Sequence, residues 1–185
     1  MARVVRFHKL GGPEVLQIEN LDVGAPADGE MRVRIEAIGL NRAEQMFRNG
    51  SYLEQPSLPS TNGYEASAVV EALGPGVSGF APGDLVSVIP AFSLNKYGVY
   101  ADQAIVPAFA VVKRPENLSA VAAAAVWMAY LTAYGALIDI GKVSKGDAVI
   151  VPAASSSVGL AAIQIVNSVG GISIAATRTM PRSRC

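Results

Sequence analysis

The chain has 185 residues, 15 basic and 15 acidic side chains, a formal net charge of zero and 51% hydrophobic residues. Its charged fraction of 16% lies well below the roughly 25% of soluble domains, which excludes a disordered chain, and the balanced charge excludes a basic nucleic-acid-binding surface. The one cysteine, Cys185, excludes an internal disulfide and a cysteine-based zinc centre.

The first half predicts β structure. Arg3–His8 and Val15–Glu19 flank the turn residues Gly11-Gly12-Pro13, as a hairpin requires. No apolar signal segment precedes this pattern, so the expected location is cytoplasmic. Glu30–Ala37 alternates charged and apolar residues and predicts a half-buried strand. Asn41–Phe47 predicts a short helix capped by Asn41 and ended by Gly50. A loop with Pro56, Pro59, Asn62 and Gly63 follows, then strands over 65–72, 85–90, 99–106 and 110–113. Short strands separated by turns predict a small barrel or sandwich.

The pattern changes near Pro115. The chain is uncharged from Asn117 to Ile138, long enough to cross a bilayer at about 20 residues. Alanine dominates it, and Asn117, Ser119, Thr132 and Gly135 interrupt it, so a pair of buried helices over 119–125 and 130–140 is the expectation, without a membrane span. Ala148–Val151, Leu160–Val169 and Ile172–Ala176 then predict a strand, a helix and a strand, which make one βαβ unit. The predicted fold is mixed α/β, with a boundary at 117/118. An open α/β sheet takes several such units, roughly 100–150 residues, so the second domain is expected to be incomplete.

The turn Ala153-Ala154-Ser155-Ser156-Ser157-Val158-Gly159 joins the strand to the helix. Small residues there let backbone amides approach a pyrophosphate, which a helix N-terminus stabilises. Serines stand where the usual fingerprint has glycines, and only Gly159 remains, so the same residues also read as an ordinary turn with serine capping. After the second strand come Thr177-Arg178-Thr179, where an NAD site expects an acid. Hydroxyls and an arginine suit a 2′-phosphate, so NADP is favoured over NAD; the alternative is a solvated arginine.

Together these pieces resemble the medium-chain dehydrogenase/reductase superfamily. The segment from Val70 to Val86, with Gly74, Gly76, Gly79, Gly83 and Asp84, is similar to the family's V…G..V..f..GD.V pattern. Gly39-Leu40-Asn41, Gly63-Tyr64-Glu65 and the helix Thr132–Leu137 add to the match. The resemblance implies a GroES-like β-barrel domain over 1–117, then linker helices and a partial Rossmann dinucleotide-binding domain over 118–185. Asn41, Tyr64 and the neighbourhood of Met128 stand where the zinc alcohol dehydrogenases carry their ligands, so the resemblance runs to the zinc-less, zeta-crystallin-like quinone oxidoreductase branch.

That branch implies an NADP-dependent oxidoreductase passing hydride to a quinone, enone or related carbonyl. It implies Tyr52 as donor to the substrate oxygen, Tyr64 as a second donor, and Asn41 as an amide orienting substrate and nicotinamide ribose. For the cofactor it implies Thr132 near the nicotinamide, Ser155, Ser156, Ser157 and Val158 around the pyrophosphate, and Thr177 with Arg178 on the adenosine phosphate. The partner is a small molecule; oligomeric state stays open, a homodimer being one option for a full-length form. Residues 180–185 lack helix periodicity and resemble sequence added after a frame break. The alternative function is therefore a truncated, inactive GroES-like remnant or binding module.

Overall fold

A computed structural model describes residues 1–177, which form two compact units, one from Met1 to Trp127 and the other from Met128 onward. In the first unit, β1 (Ala2–Phe7) and β2 (Leu16–Leu21) pair antiparallel with Ala2 opposite Leu21, giving the expected hairpin. The short strand β4 (Ser60–Thr61) adds to the other edge of β1.

A five-stranded antiparallel sheet runs in the order β7-β3-β5-β6-β8, from β3 (Glu30–Ile38), β5 (Ala66–Leu73), β6 (Leu85–Val88), β7 (Gln103–Pro107) and β8 (Val111–Lys113). Alternation in β3 buries Met31 and Val33 completely, where they pack with Val70, Val86, Val88 and Val106. Register shifts against β5 after Arg32 and after Ile35 bend β3. This delivers the chain to α1 (Arg42–Arg48), with Asn41 as its extended N-cap.

The strand expected over 99–106 begins only at Gln103. Residues 99–102 instead bond to several segments: Val99 N–H donates to Gly63, Tyr100 N–H to Asn62 and Asp102 N–H to Arg3, while the Tyr100 carbonyl accepts from Val5. No single ladder forms, because this segment ties the two sheets together. Gly63 permits the crossing: its φ is +102°, and a Cβ there would lie 2.4 Å from the Tyr100 ring.

The expected helix over 119–125 is a single turn, α2 (Ala120–Ala123), capped by Ser119 and packed on β3 and β5. Residues 118–127, assigned to linker helices from the sequence, therefore lie in the first unit.

Apart from Trp127, the last residue of the first unit, α3 (Trp127–Tyr134) belongs to the second unit and passes into a π-helical segment, Gly135–Ile140. β9 (Ala148–Pro152) and β10 (Ile172–Ala176) are parallel, joined by α4 (Ser157–Ser168), so the βαβ unit forms as expected. α4 begins earlier than Leu160 because Ser156 caps it. The core is built from Ala129 and Ala133 against Ala161 and Ile165.

Burial of the apolar run is narrower than expected. Ala123, Ala124, Ala129 and Ala133 are buried, whereas Leu131 is 41% exposed and Ile140 83%. Small alanines permit close packing, while the larger side chains point away from it. Ala120–Ile140 meets the length and hydropathy of a membrane-crossing helix, with a mean hydropathy of 1.7.

Candidate active site

In the first unit the site is organised by Glu44. It stands at the third position of α1, is only 2% exposed, and its carboxylate returns to accept from the Asn41 backbone N–H at 2.5 Å. That is the return half of an N-terminal capping box, set by the Asn-x-x-Glu spacing. The same carboxylate accepts from the Asn41 side-chain amide at 3.4 Å, the Tyr64 N–H at 3.0 Å and the Tyr100 hydroxyl at 2.7 Å. Buried Asn62 donates to the Glu44 carbonyl. Glu65, also 2% exposed, accepts from the Asn41 amide at 2.9 Å.

Burial pushes the Glu44 carboxyl up from its ordinary value, against the hydrogen bonds from Tyr64, Tyr100 and Asn41 that favour the charged form. Burial likewise raises the Tyr100 hydroxyl, helped by the Glu44 charge. Tyr64 is raised by burial first, then by Tyr52, Glu54 and Glu44. Both phenols therefore keep their protons at neutral pH.

Tyr52 lies edge-on to Tyr64, with ring centroids 6.2 Å apart, and Tyr64 leans on Phe92 at 5.8 Å. The loop carrying Tyr52 is anchored by Glu54, which accepts from the Ser93 hydroxyl at 2.6 Å and the Leu94 N–H at 2.9 Å. The structure thus gathers Asn41 and the Tyr64 backbone N–H into one hydrogen-bonded network and sets the Tyr52 ring edge-on against the Tyr64 ring. Sequence reasoning left Glu44 and Tyr100 without a role. The capping-box spacing could have flagged Glu44; Tyr100 reaches the site only through the crossing at 99–102 and carries no local signal. Among the described residues no group of three or more His, Cys, Asp and Glu comes together, and His8 pairs with Glu19 on the hairpin.

In the second unit the strand-to-helix turn has the features of an anion cradle. The Ser156 hydroxyl accepts from the Gly159 N–H at 3.0 Å, which leaves its own proton free to donate. The Ser157 and Val158 amides have no hydrogen-bond partner among the described residues. Gly159 is required by close approach: a Cβ there would lie 2.6 Å from the Ala153 carbonyl oxygen. Ala153 itself takes a left-handed φ of +50° that usually favours glycine.

Thr132, Ser156 and Val158 line one hollow of about 250 Å³, together with Pro152 and Leu137. Ser155 and Ser157 are exposed beside it on the turn, and Thr177 follows β10 directly. Arg178 lies outside the described residues. The free amides, hydroxyls and close turn fit a pyrophosphate.

Comparison with known proteins agrees with this architecture. Residues 27–116 match the alcohol dehydrogenase GroES-like domain. The chain is 39% identical to human quinone oxidoreductase over 171 residues, which is 92% of this chain and 51% of that protein. A solved quinone oxidoreductase from Pseudomonas syringae pv. tomato DC3000 superposes with a TM-score of 0.89 at 34% identity, covering 98% of this chain and 54% of that one. The Escherichia coli quinone oxidoreductase solved with NADPH gives 0.88 at 34%, covering 97% and 53%.

A GroES-like domain followed by a Rossmann-type βαβ unit defines a class of two-domain dehydrogenases and reductases. The chain is quinone oxidoreductase-like and carries the GroES-like domain of the medium-chain dehydrogenase/reductase superfamily. It spans about half the length of the curated relatives it matches.

Proposed function

We propose that this chain carries the substrate-facing donors and the pyrophosphate grip of an NADPH-dependent oxidoreductase of the quinone reductase type, which passes hydride to a quinone, enone or related conjugated carbonyl without zinc. The observation that carries this reading is the Tyr52 ring packed edge-on to Tyr64, whose backbone N–H shares the Glu44 carboxylate with Asn41. Where the resemblance puts zinc ligands stand an amide bonded to two carboxylates and a phenol that keeps its proton, both poor zinc ligands.

The reduced nicotinamide, when bound, supplies the hydride. Tyr52 donates its hydroxyl to the substrate oxygen, where negative charge develops as hydride adds to the conjugated system. Tyr64 braces the Tyr52 ring and, being protonated, serves as the second donor. In the second unit, the amides of Ser157 and Val158 and the hydroxyls of Ser155, Ser156 and Ser157 hold the pyrophosphate at the positive end of α4. Thr132 lines the adjoining hollow and would meet the nicotinamide end of the cofactor. Thr177 and Arg178 bind the 2′-phosphate, a place where an acid would repel it.

The test is NADPH oxidation by the purified chain with 1,4-benzoquinone, with and without a metal chelator. Turnover that survives chelation and falls about a hundredfold in Tyr52→Phe supports the reading, that being the usual effect of removing one oxyanion donor. Loss of turnover on chelation overturns the zinc-free mechanism. No turnover in a folded chain overturns the enzymatic reading in favour of a binding module.

A further inference from the structure

The surroundings of Asn41 dictate which way its side-chain amide faces. Nδ2 lies 2.9 Å from Glu65 Oε1 and 3.4 Å from Glu44 Oε1, and both acids are buried. Ionised carboxylates accept and do not donate, so the NH2 group must turn to them and commits both its hydrogens. The reversed amide would set a carbonyl oxygen against two buried carboxylate oxygens, acceptor against acceptor. The capping box aims Oδ1 at the start of α1, where it faces the Glu44 N–H. A carbonyl oxygen has two acceptor sites, so one remains.

We infer that Glu44 and Glu65 are positioning residues that lock the Asn41 amide, leaving it a single acceptor for a ligand and fitting it to a hydroxyl or amide N–H, not to a carbonyl oxygen. The inference rests on the proposed function for its ligand: the sugar hydroxyls and the carboxamide of a reduced nicotinamide nucleotide are donors of this kind. The substrate oxygen then receives its stabilisation from the tyrosines alone. Asn41 acts on the nucleotide, and the two acids act through Asn41.

The lock is read directly from the side-chain NH2 resonances of the isotope-labelled chain. Exposed Asn49, at the far end of α1, serves as the internal reference. The Asn41 NH2 protons are expected to exchange with water on the order of tenfold more slowly than those of Asn49. Glu65→Ala, which removes the acceptor at 2.9 Å, is expected to remove most of that protection while Asn49 is unchanged. Equal exchange at Asn41 and Asn49 in the unmodified chain overturns the lock, as does full protection persisting in Glu65→Ala. If that variant does not fold, the comparison within the unmodified chain decides.

Added NADPH is expected to leave the Asn41 NH2 protected and to shift its side-chain carbonyl carbon. Movement of the NH2 protons with an unmoved carbonyl carbon overturns the acceptor role. Absence of NADPH binding, with the NH2 protected, overturns the proposed function and leaves the lock standing.

Discussion

Replacing Glu44 by Gln weighs hydrogen bonding against the burial of charge at one position. Each carboxylate oxygen meets two donors: Oε1 faces the Asn41 amide and the Tyr64 N–H, Oε2 the Asn41 N–H and the Tyr100 hydroxyl. Glutamine keeps the shape but turns one oxygen into an NH2 group. Placed at Oε2, that group strands the Asn41 N–H, although the Tyr100 hydroxyl can rotate and accept. Placed at Oε1, it strands the Tyr64 N–H. Either way one buried backbone donor loses its partner, a cost of about 1–3 kcal/mol. Relief from burying a charge offsets part of this, since burial already pushes the Glu44 carboxyl up.

The expected net effect is a loss of about 1–2 kcal/mol. With a urea slope of about 1–3 kcal/mol/M, the unfolding midpoint of the first unit falls by roughly 0.3–2 M. Urea titration followed by tyrosine fluorescence measures it. A midpoint that is unchanged or higher would refute the reasoning, because desolvation of the carboxylate would then outweigh the donors gathered on it.

Other changes follow from single contacts. Gly159→Ala gains up to about 1 kcal/mol in helix propensity but forces a Cβ to 2.6 Å from the Ala153 carbonyl; overpacking at about 1–3 kcal/mol wins, so thermal unfolding of the second unit moves to lower temperature. Asp102 is held below its ordinary 3.8 by the Arg3 side chain, so its contribution is present above that pH and is lost as pH falls through the lower folded value. Asp102→Asn is therefore expected to flatten the loss of stability below about pH 4 and to leave its slope near neutrality unchanged, as acid titration by circular dichroism would register.

Local patterns in the chain were enough for the hairpin, for β3 and for the βαβ unit. Alternation in Met31-Arg32-Val33-Arg34 encodes a half-buried strand on its own, and the apolar runs at 148–151 and 172–176 encode strands, although Ile150, Ile172 and Ile174 are exposed and only Val151 is buried. The network around Glu44 was legible only in its Asn-x-x-Glu capping spacing; Tyr64 and Glu65 are brought to it by the fold, and Tyr100 only when 99–102 crosses between the sheets. Nor could three consecutive serines be told apart by type. The structure distinguishes them by hydrogen bonding: the Ser156 hydroxyl caps the helix, although all three serines are exposed on the turn. The exposed side chains of the apolar helix escaped for a related reason, since hydropathy reports how apolar a segment is and not which of its faces meets a neighbour.

The most direct test of the account is titration of the 185-residue chain with NADPH, with NADH as the control, followed by nucleotide fluorescence and by the backbone amide resonances of Ser157 and Val158. Saturable binding is expected, tighter for NADPH than for NADH, with those two amides among the resonances that move. Absence of saturable binding while α4 and β10 remain folded, or binding that leaves both amides unmoved, would contradict it.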